Sequence, residues 1–207
     1  MPPLFMSTRT MSAKLPSPGQ PSLSALDAAH QGVPALSDWV VRFAPLLDQG
    51  ARVLDYACGS GRHTRWLAKR GMHVDAIDRD HAALERLRGV EGVQVRELDL
   101  EGDTWPLEGE CYDAVVVTNY LHRPRFDAML ALLRPGGVLI YETFMAGNAR
   151  FGKPSSPAFL LQAGELIERL RDGWTLVAFE QGEVLAPRPA VVQRVCAVKG
   201  SRLTRLP

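Results

Sequence analysis

The feature that most constrains this fold is a repeated change of hydrophobic period along the chain. Short apolar runs of strand length alternate with stretches whose apolar residues recur at helical spacing. Arg52–Asp55, Val74–Ile77, Val93–Leu98, Tyr112–Thr118 and Val138–Thr143 read as strands, the fourth containing an Ala-Val-Val-Val run. Between and around them, Leu23–His30, Leu36–Leu47, His63–Arg70, Ala82–Arg88, Phe126–Leu133 and Gly164–Arg171 read as helices. Leu36, Trp39, Val40, Phe43 and Leu47 form one stripe, and Ser37 is placed to cap that helix. Gly71 stops one helix and Pro135-Gly136-Gly137 another. Strands that are apolar on both faces, separated by amphipathic helices, predict a parallel sheet covered on both sides, a doubly wound α/β fold. Trp174–Glu180 and Val191–Val198 follow with only a Gly- and Pro-containing turn between them. That pair predicts an antiparallel hairpin at one edge, which completes a seven-stranded, mostly parallel sheet. In such a sheet the ligand crevice lies at the carboxyl ends of the strands.

The most informative segment is Val53-Leu-Asp55-Tyr56-Ala57-Cys58-Gly59-Ser60-Gly61-Arg62-His63-Thr64. A strand ends in an acid, a glycine-bearing turn follows, and a helix opens. Gly59 and Gly61 allow positive φ and close approach of the backbone to a ligand, and the helix start offers free N–H groups. Glycine spacing of this kind also occurs in dinucleotide-binding turns. Those, however, want a third small residue where Thr64 stands, and their pyrophosphate would be repelled by Asp55. An acid at the end of the first strand suits a cationic ligand instead. A further acid, Asp78, ends the second strand 23 residues after Asp55; its position also suits a surface carboxylate capping the next helix, a role for which Asp80 competes. Asp99-Leu100 follows the third strand and Thr118-Asn119-Tyr120 the fourth.

In order and spacing these landmarks resemble those of class I S-adenosylmethionine-dependent methyltransferases, over roughly Arg52 to Val198. The resemblance implies a Rossmann-like sheet and S-adenosyl-L-methionine as cofactor. It implies cofactor contacts from Asp55, Tyr56, Ala57, Cys58, Gly59 and Gly61 of the first turn, Ala57 standing where the usual pattern has a glycine. It also implies contacts from Asp78 and Arg79 near the ribose, Asp99 and Leu100 near the adenine, and Asn119 beside the methionine moiety. Tyr56 and Cys58 are expected to contribute through their backbones. His122, with Asn119 and Tyr120, is the candidate catalytic group, because an imidazole can act as base near neutrality. His30, His63, His73 and His81 show no ligand spacing and are read as surface or packing residues.

The segment Phe144 to Leu166, followed by Gly173-Trp174, resembles the small tellurite-resistance (TehB-like) methyltransferases. That resemblance implies a small, soft acceptor such as a thiol, an oxyanion or an acid. The sequence Asn119-Tyr-Leu-His122-Arg123 departs from that group and also lacks the prolines of amide and base methyltransferases. The expected function is therefore methyl transfer to a small molecule. The alternatives are an RNA or protein methyltransferase completed by a partner, and a non-catalytic S-adenosylmethionine-binding protein. The Phe144–Pro157 stretch is long for a connection and is expected to be a lid over the site. Arg123, Arg150 and Lys153 are expected to form a cationic mouth there. Tyr141 and Glu142 face the crevice only if the fifth strand has the right phase.

Composition narrows the partners. With 24 Lys and Arg against 23 Asp and Glu, the formal charge is +1, which argues against a nucleic-acid or acidic-membrane binder. Every apolar run is interrupted well before membrane-spanning length. Cys58, Cys111 and Cys196 are widely separated and form no CxxC pair; neither a disulfide framework nor a metal site is expected, and a reducing cytoplasm is. Residues 1–22 hold five of the fifteen prolines and no acid, which predicts a disordered tail, with Met6 and Met11 as alternative starts. Residues 23–200 are then the catalytic domain, and 201–207 a frayed basic end.

Overall fold

The computed structural model describes residues 35–201 and Pro207. The expectations for 1–22, for the helix Leu23–His30 and for most of 201–207 lie outside the described residues.

The seven-stranded sheet is present. Strands β1 (Arg52–Tyr56), β2 (His73–Asp78), β3 (Val93–Glu97), β4 (Tyr112–Thr118), β5 (Leu133–Phe144), β6 (Trp174–Val184) and β7 (Ala190–Lys199) lie in the order β3-β2-β1-β4-β5-β7-β6. The first five are parallel, and the direction of pairing reverses at β7, which lies antiparallel to both β5 and β6. The order switches between β1 and β4, whose carboxyl ends carry the glycine turn and Asn119.

Helices α1 (Asp38–Phe43), α2 (Arg62–Lys69), α3 (His81–Glu85), α4 (Phe126–Ala131) and α5 (Glu165–Arg169) cover the two faces. Because side chains alternate along a strand, β4 sends Ala114 and Val116 to one face and Val115 and Val117 to the other. The first pair packs with Trp39, Phe43 and Leu67 of α1 and α2. The second packs with Phe126, Met129 and Leu166 of α4 and α5. Ser37 caps α1 through its hydroxyl, and Trp39 Nε1 donates to the Val195 carbonyl at 3.1 Å. Helix α1 is thereby fixed to β7, the strand farthest from it in sequence among those in the core.

Several boundaries differ from the sequence reading. The first helix gives way to a 3-10 turn at Ala44–Leu46, where a proline occupies the start. Strand β5 begins at Leu133 rather than Val138, with Pro135-Gly136-Gly137 taken up in an irregularity opposite Tyr112 and Ala114. The C-terminal hairpin is longer than expected and runs to Val184 and from Ala190.

The connection from β5 to α5 is not a bare loop. It holds 3-10 turns at Asn148–Phe151 and Pro157–Phe159 and a parallel bridge between Met145 and Leu161. Buried Asn148 accepts from Val191 N–H at 3.0 Å and donates to the Pro154 carbonyl at 3.1 Å. Arg123 donates to the carbonyls of Ala158 and Leu160 and makes a two-pronged ion pair with Glu165. Val191 ties the segment to β7, Arg123 ties it to the turn after β4, and Asn148 fastens it internally, so in this structure it forms a wall.

Candidate active site

The turn after β1 is held in left-handed backbone at three points, Ala57 (φ 57°), Gly59 (φ 53°) and Gly61 (φ 70°). Gly61 is required twice over, because a Cβ there would lie 2.4 Å from a methyl of Leu87. At Gly59 the same addition would meet nothing within 4 Å, so this glycine borders open space. Asp55 is buried and accepts from the Thr64 hydroxyl at 2.5 Å. Its carboxylate therefore braces the first turn of α2 against the end of β1. Burial pushes its pKa up to about 6, against the hydrogen bonds from Thr64, which pull it down. Burial also pushes the Cys58 thiol well up, and its neighbours are the carboxylates Asp55 and Asp78 rather than a base.

Two clefts open at the carboxyl edge of the sheet. The first, of about 170 Å³, is lined by Ala57, Asp78, Arg79, Asp99, Leu100 and Tyr120, with Leu98 and Glu101 beside them. Asp78 accepts from Gly59 N–H at 2.8 Å with one oxygen and from Asp80 N–H at 2.9 Å with the other. Asp80, in turn, caps α3 through Ala83 N–H. The capping role belongs to Asp80, and Asp78 binds the glycine turn and keeps one free lone-pair direction on each oxygen. Asp99 is anchored by Glu101 N–H at 2.9 Å. Leu100 is buried and lines the cleft. The Tyr120 hydroxyl is buried without a hydrogen-bond partner among the described residues, an exposed cost for any protein that leaves such a group unpaired. Two separated carboxylates that keep acceptor capacity are the donor-seeking groups a ribosyl-adenine would meet here.

The second cleft, of about 230 Å³, lies past the ends of β4 and β5. Its polar wall includes Arg62, Asn119, Glu142, Lys153, Arg188 and Arg194; Phe144, Phe151, Val184 and Val192 make it partly apolar. Asn119 is in left-handed backbone (φ 58°), a conformation that asparagine tolerates. Glu142 accepts from the Ser37 hydroxyl at 2.7 Å and from Arg194 at 3.1 Å, and Arg194 also pairs with Glu180. Beneath them, His63 Nε2 accepts from Ser37 N–H at 3.0 Å, so its proton sits on Nδ1, facing the Thr118 hydroxyl at 3.4 Å. Burial and the Arg62 charge hold this imidazole neutral, its pKa lowered to about 3. It is a packing histidine, as expected from its sequence context.

Asn119 and Tyr120 are adjacent, yet one lines the second cleft and the other the first. The glycine turn bridges them likewise, with Ala57 at the first and Arg62 at the second. Of the sequence candidates, Ala57, Asp78, Arg79, Asp99, Leu100, Asn119 and Tyr120 come together around this pair. Tyr56 is a core residue whose ring meets Tyr120 edge-on at 5.5 Å. His122 lines neither cleft and only precedes the 3-10 turn at Arg123–Arg125. The expected mouth is also recomposed: Arg123 is paired with Glu165 and Arg150 with Glu183, leaving Lys153 at the cleft. Strand phase puts Glu142 in the cleft and Tyr141 in the core, where its hydroxyl donates to the Tyr120 carbonyl at 2.7 Å.

Arg62 and Arg188 were missed in the sequence. Arg62 carried a signal, a cation in the first turn of a helix, where the dipole disfavours it. Arg188 lies in a proline-rich turn and carried none.

The sheet order, the reversed β7 and the acid-ended β1 with its glycine turn define the class I methyltransferase fold. Residues 53–137 match the family model described as a methyltransferase domain. It is 35% identical over 131 residues to the ubiquinone biosynthesis O-methyltransferase of Xylella fastidiosa (strain 9a5c), covering 59% of this chain and 52% of that protein. With the enzyme of the same name from Bordetella avium it shares 31% over 151 residues, covering 68% and 59%. The chain thus spans little more than half the length of these relatives. Among solved structures it is similar to TehB from Haemophilus influenzae, with a TM-score of 0.68 and 20% identity over 83% of this chain and 65% of that one. It is also similar to the Burkholderia thailandensis 1,6-didemethyltoxoflavin-N1-methyltransferase, solved with 1,6-didemethyltoxoflavin and S-adenosylhomocysteine, with a TM-score of 0.58 and 24% identity over 79% and 76%. At these identities the structural likeness is one of fold.

Proposed function

We propose that this protein is an S-adenosylmethionine-dependent methyltransferase acting on a small-molecule acceptor. The observation that carries the reading is the pair of clefts joined by the glycine turn and by Asn119-Tyr120. A cofactor with its adenosine in the first cleft would have the glycine turn and Asn119-Tyr120 to hold its remaining part. Asp78 and Asp99 would hold the ribose and adenine, with Arg79 at the rim and Leu100 offering its backbone. The turn residues Tyr56, Ala57, Cys58, Gly59 and Gly61 would approach the methionine portion through their main chain, and Asp55 supplies a buried negative charge behind them. The bound cofactor supplies an electrophilic methyl on a sulfonium. What the protein adds is alignment of a nucleophile with that methyl and exclusion of water. Asn119, on the second cleft, is the chain's candidate positioning group. The small size of the second cleft and the small-molecule substrates named for the relatives favour this reading over a macromolecular one. A base role for His122 finds no support in its placement. The residue 23–200 domain, working in a reducing cytoplasm, remains the setting proposed for the activity.

Calorimetric titration with S-adenosylmethionine and S-adenosylhomocysteine tests the cofactor. Both are expected to bind at micromolar concentrations, and Asp78→Ala should weaken them by about 1.5–3 kcal/mol, ~10–100-fold. Undiminished affinity in Asp78→Ala would remove the ribose assignment.

A further inference from the structure

The second cleft is built from cations that the fold does not neutralise. Arg62 comes from the start of α2, Lys153 from the β5–α5 connection, and Arg188 from the β6–β7 turn. Among the described residues none of the three is in an ion pair, whereas Arg123, Arg150 and Arg194 around them each are. Arg62 is doubly misplaced for stability. It sits half-buried, and it stands at the helix end whose dipole repels a cation. Burial, helped by the nearby Arg188 charge, lowers the Arg62 pKa against the pull of Glu142 and Asp55. An anion between these side chains would remove a cost that the protein alone bears.

The rest of the cleft says what kind of anion. A space of about 230 Å³ exceeds what an inorganic oxyanion of a few atoms fills, and it is well below the pocket of a drug-sized ligand. Phe144, Phe151, Val184 and Val192 offer hydrocarbon contact alongside the cations. Asp38 and Glu142 also line it, but Glu142 is already committed to Ser37 and Arg194.

We propose that the acceptor is a small organic acid, with a carboxylate held by Lys153 and Arg188 in front of Arg62 and an apolar body against the Phe144 and Phe151 side of the cleft. The inference rests on the methyltransferase reading for the word acceptor, and its test separates the two. Binding of a panel of three- to ten-carbon phenyl-substituted and alkyl carboxylates, each with its primary amide, is measured by ligand-observed NMR. Inorganic phosphate serves as the bare-anion probe, and each is tried with and without saturating S-adenosylhomocysteine.

At least one carboxylate is expected to bind about tenfold or more tightly than its amide and than phosphate. Lys153→Gln/Arg188→Gln should abolish that preference while leaving S-adenosylhomocysteine affinity within about twofold, which also shows that the variant is folded. Both residues are exposed on loops, so folding should not depend on them. Equal binding of acid and amide, no carboxylate binding, or a preference that survives the double variant would each overturn the proposal. Phosphate binding as well as the best carboxylate would overturn the apolar half of it. Carboxylate binding without any S-adenosylhomocysteine binding would leave the acid site standing and remove the cofactor reading.

Discussion

Asp55 is a residue whose two roles pull in opposite directions. It braces α2 through Thr64, but ionising it in the core is costly, hence its pKa of about 6. The folded state therefore holds the proton more tightly than the unfolded chain. The stability this gives is fully present below the ordinary carboxylate range and is lost as pH rises through about 6. A nearby sulfonium would favour the ionised form, so binding it should release the proton. The ratio of S-adenosylmethionine to S-adenosylhomocysteine affinity is accordingly expected to fall as pH is lowered through 6, because only the former carries the sulfonium. In Asp55→Asn the ratio should be flat with pH. A flat ratio in the wild type, measured by titration between pH 5 and 8, would reduce Asp55 to its bracing role.

Among the elements, the turn from β1 into α2 is the one whose geometry is least replaceable. Gly61 has φ 70° and its α-hydrogen faces Leu87 where a Cβ would be at 2.4 Å. Gly61→Ala combines left-handed strain with overpacking, at a cost of about 2–4 kcal/mol. Denaturant unfolding should show this loss, and Leu87→Ala in the same chain should restore part of it. A cost below about 0.5 kcal/mol would mean that the cap of α2 and the turn after α3 are not packed through this contact. The bracing of Asn148 and Arg123 belongs to the same scale. It makes the β5–α5 connection a wall that presents Lys153, where a long polar loop in the sequence suggested a lid.

Across the whole molecule, the last strand is an interior one. Strand β7 lies between β5 and β6, with Val195, Cys196 and Ala197 fully buried, and receives the Trp39 hydrogen bond. A chain ending at Arg188 should therefore show no cooperative thermal transition by circular dichroism, since it loses the core of both faces and not a terminal hairpin. Retention of a sharp transition would mean that the five parallel strands suffice alone. Hydrogen exchange offers the same contrast in the intact chain. Amides of β7 should exchange as slowly as those of β4, and those of the edge strands β3 and β6 faster.

What the sequence determined by itself was set by local rules. Strand and helix periods, the acid-ended β1, the glycines of the turn and the acids after β2 and β3 act within a few residues of one another, so the sheet and the first cleft were legible. The alternation even placed the antiparallel hairpin. The tertiary structure decided what depends on distant partners. Glu165 and Glu183 neutralise Arg123 and Arg150 from far along the chain. Asp80, not Asp78, was free to cap α3. Strand phase turned Glu142 outward and Tyr141 inward. Above all, the meeting of Arg62, Lys153 and Arg188 brings together a helix start and two loops whose spacing in sequence has no period, and only the closed sheet puts their charges in one place.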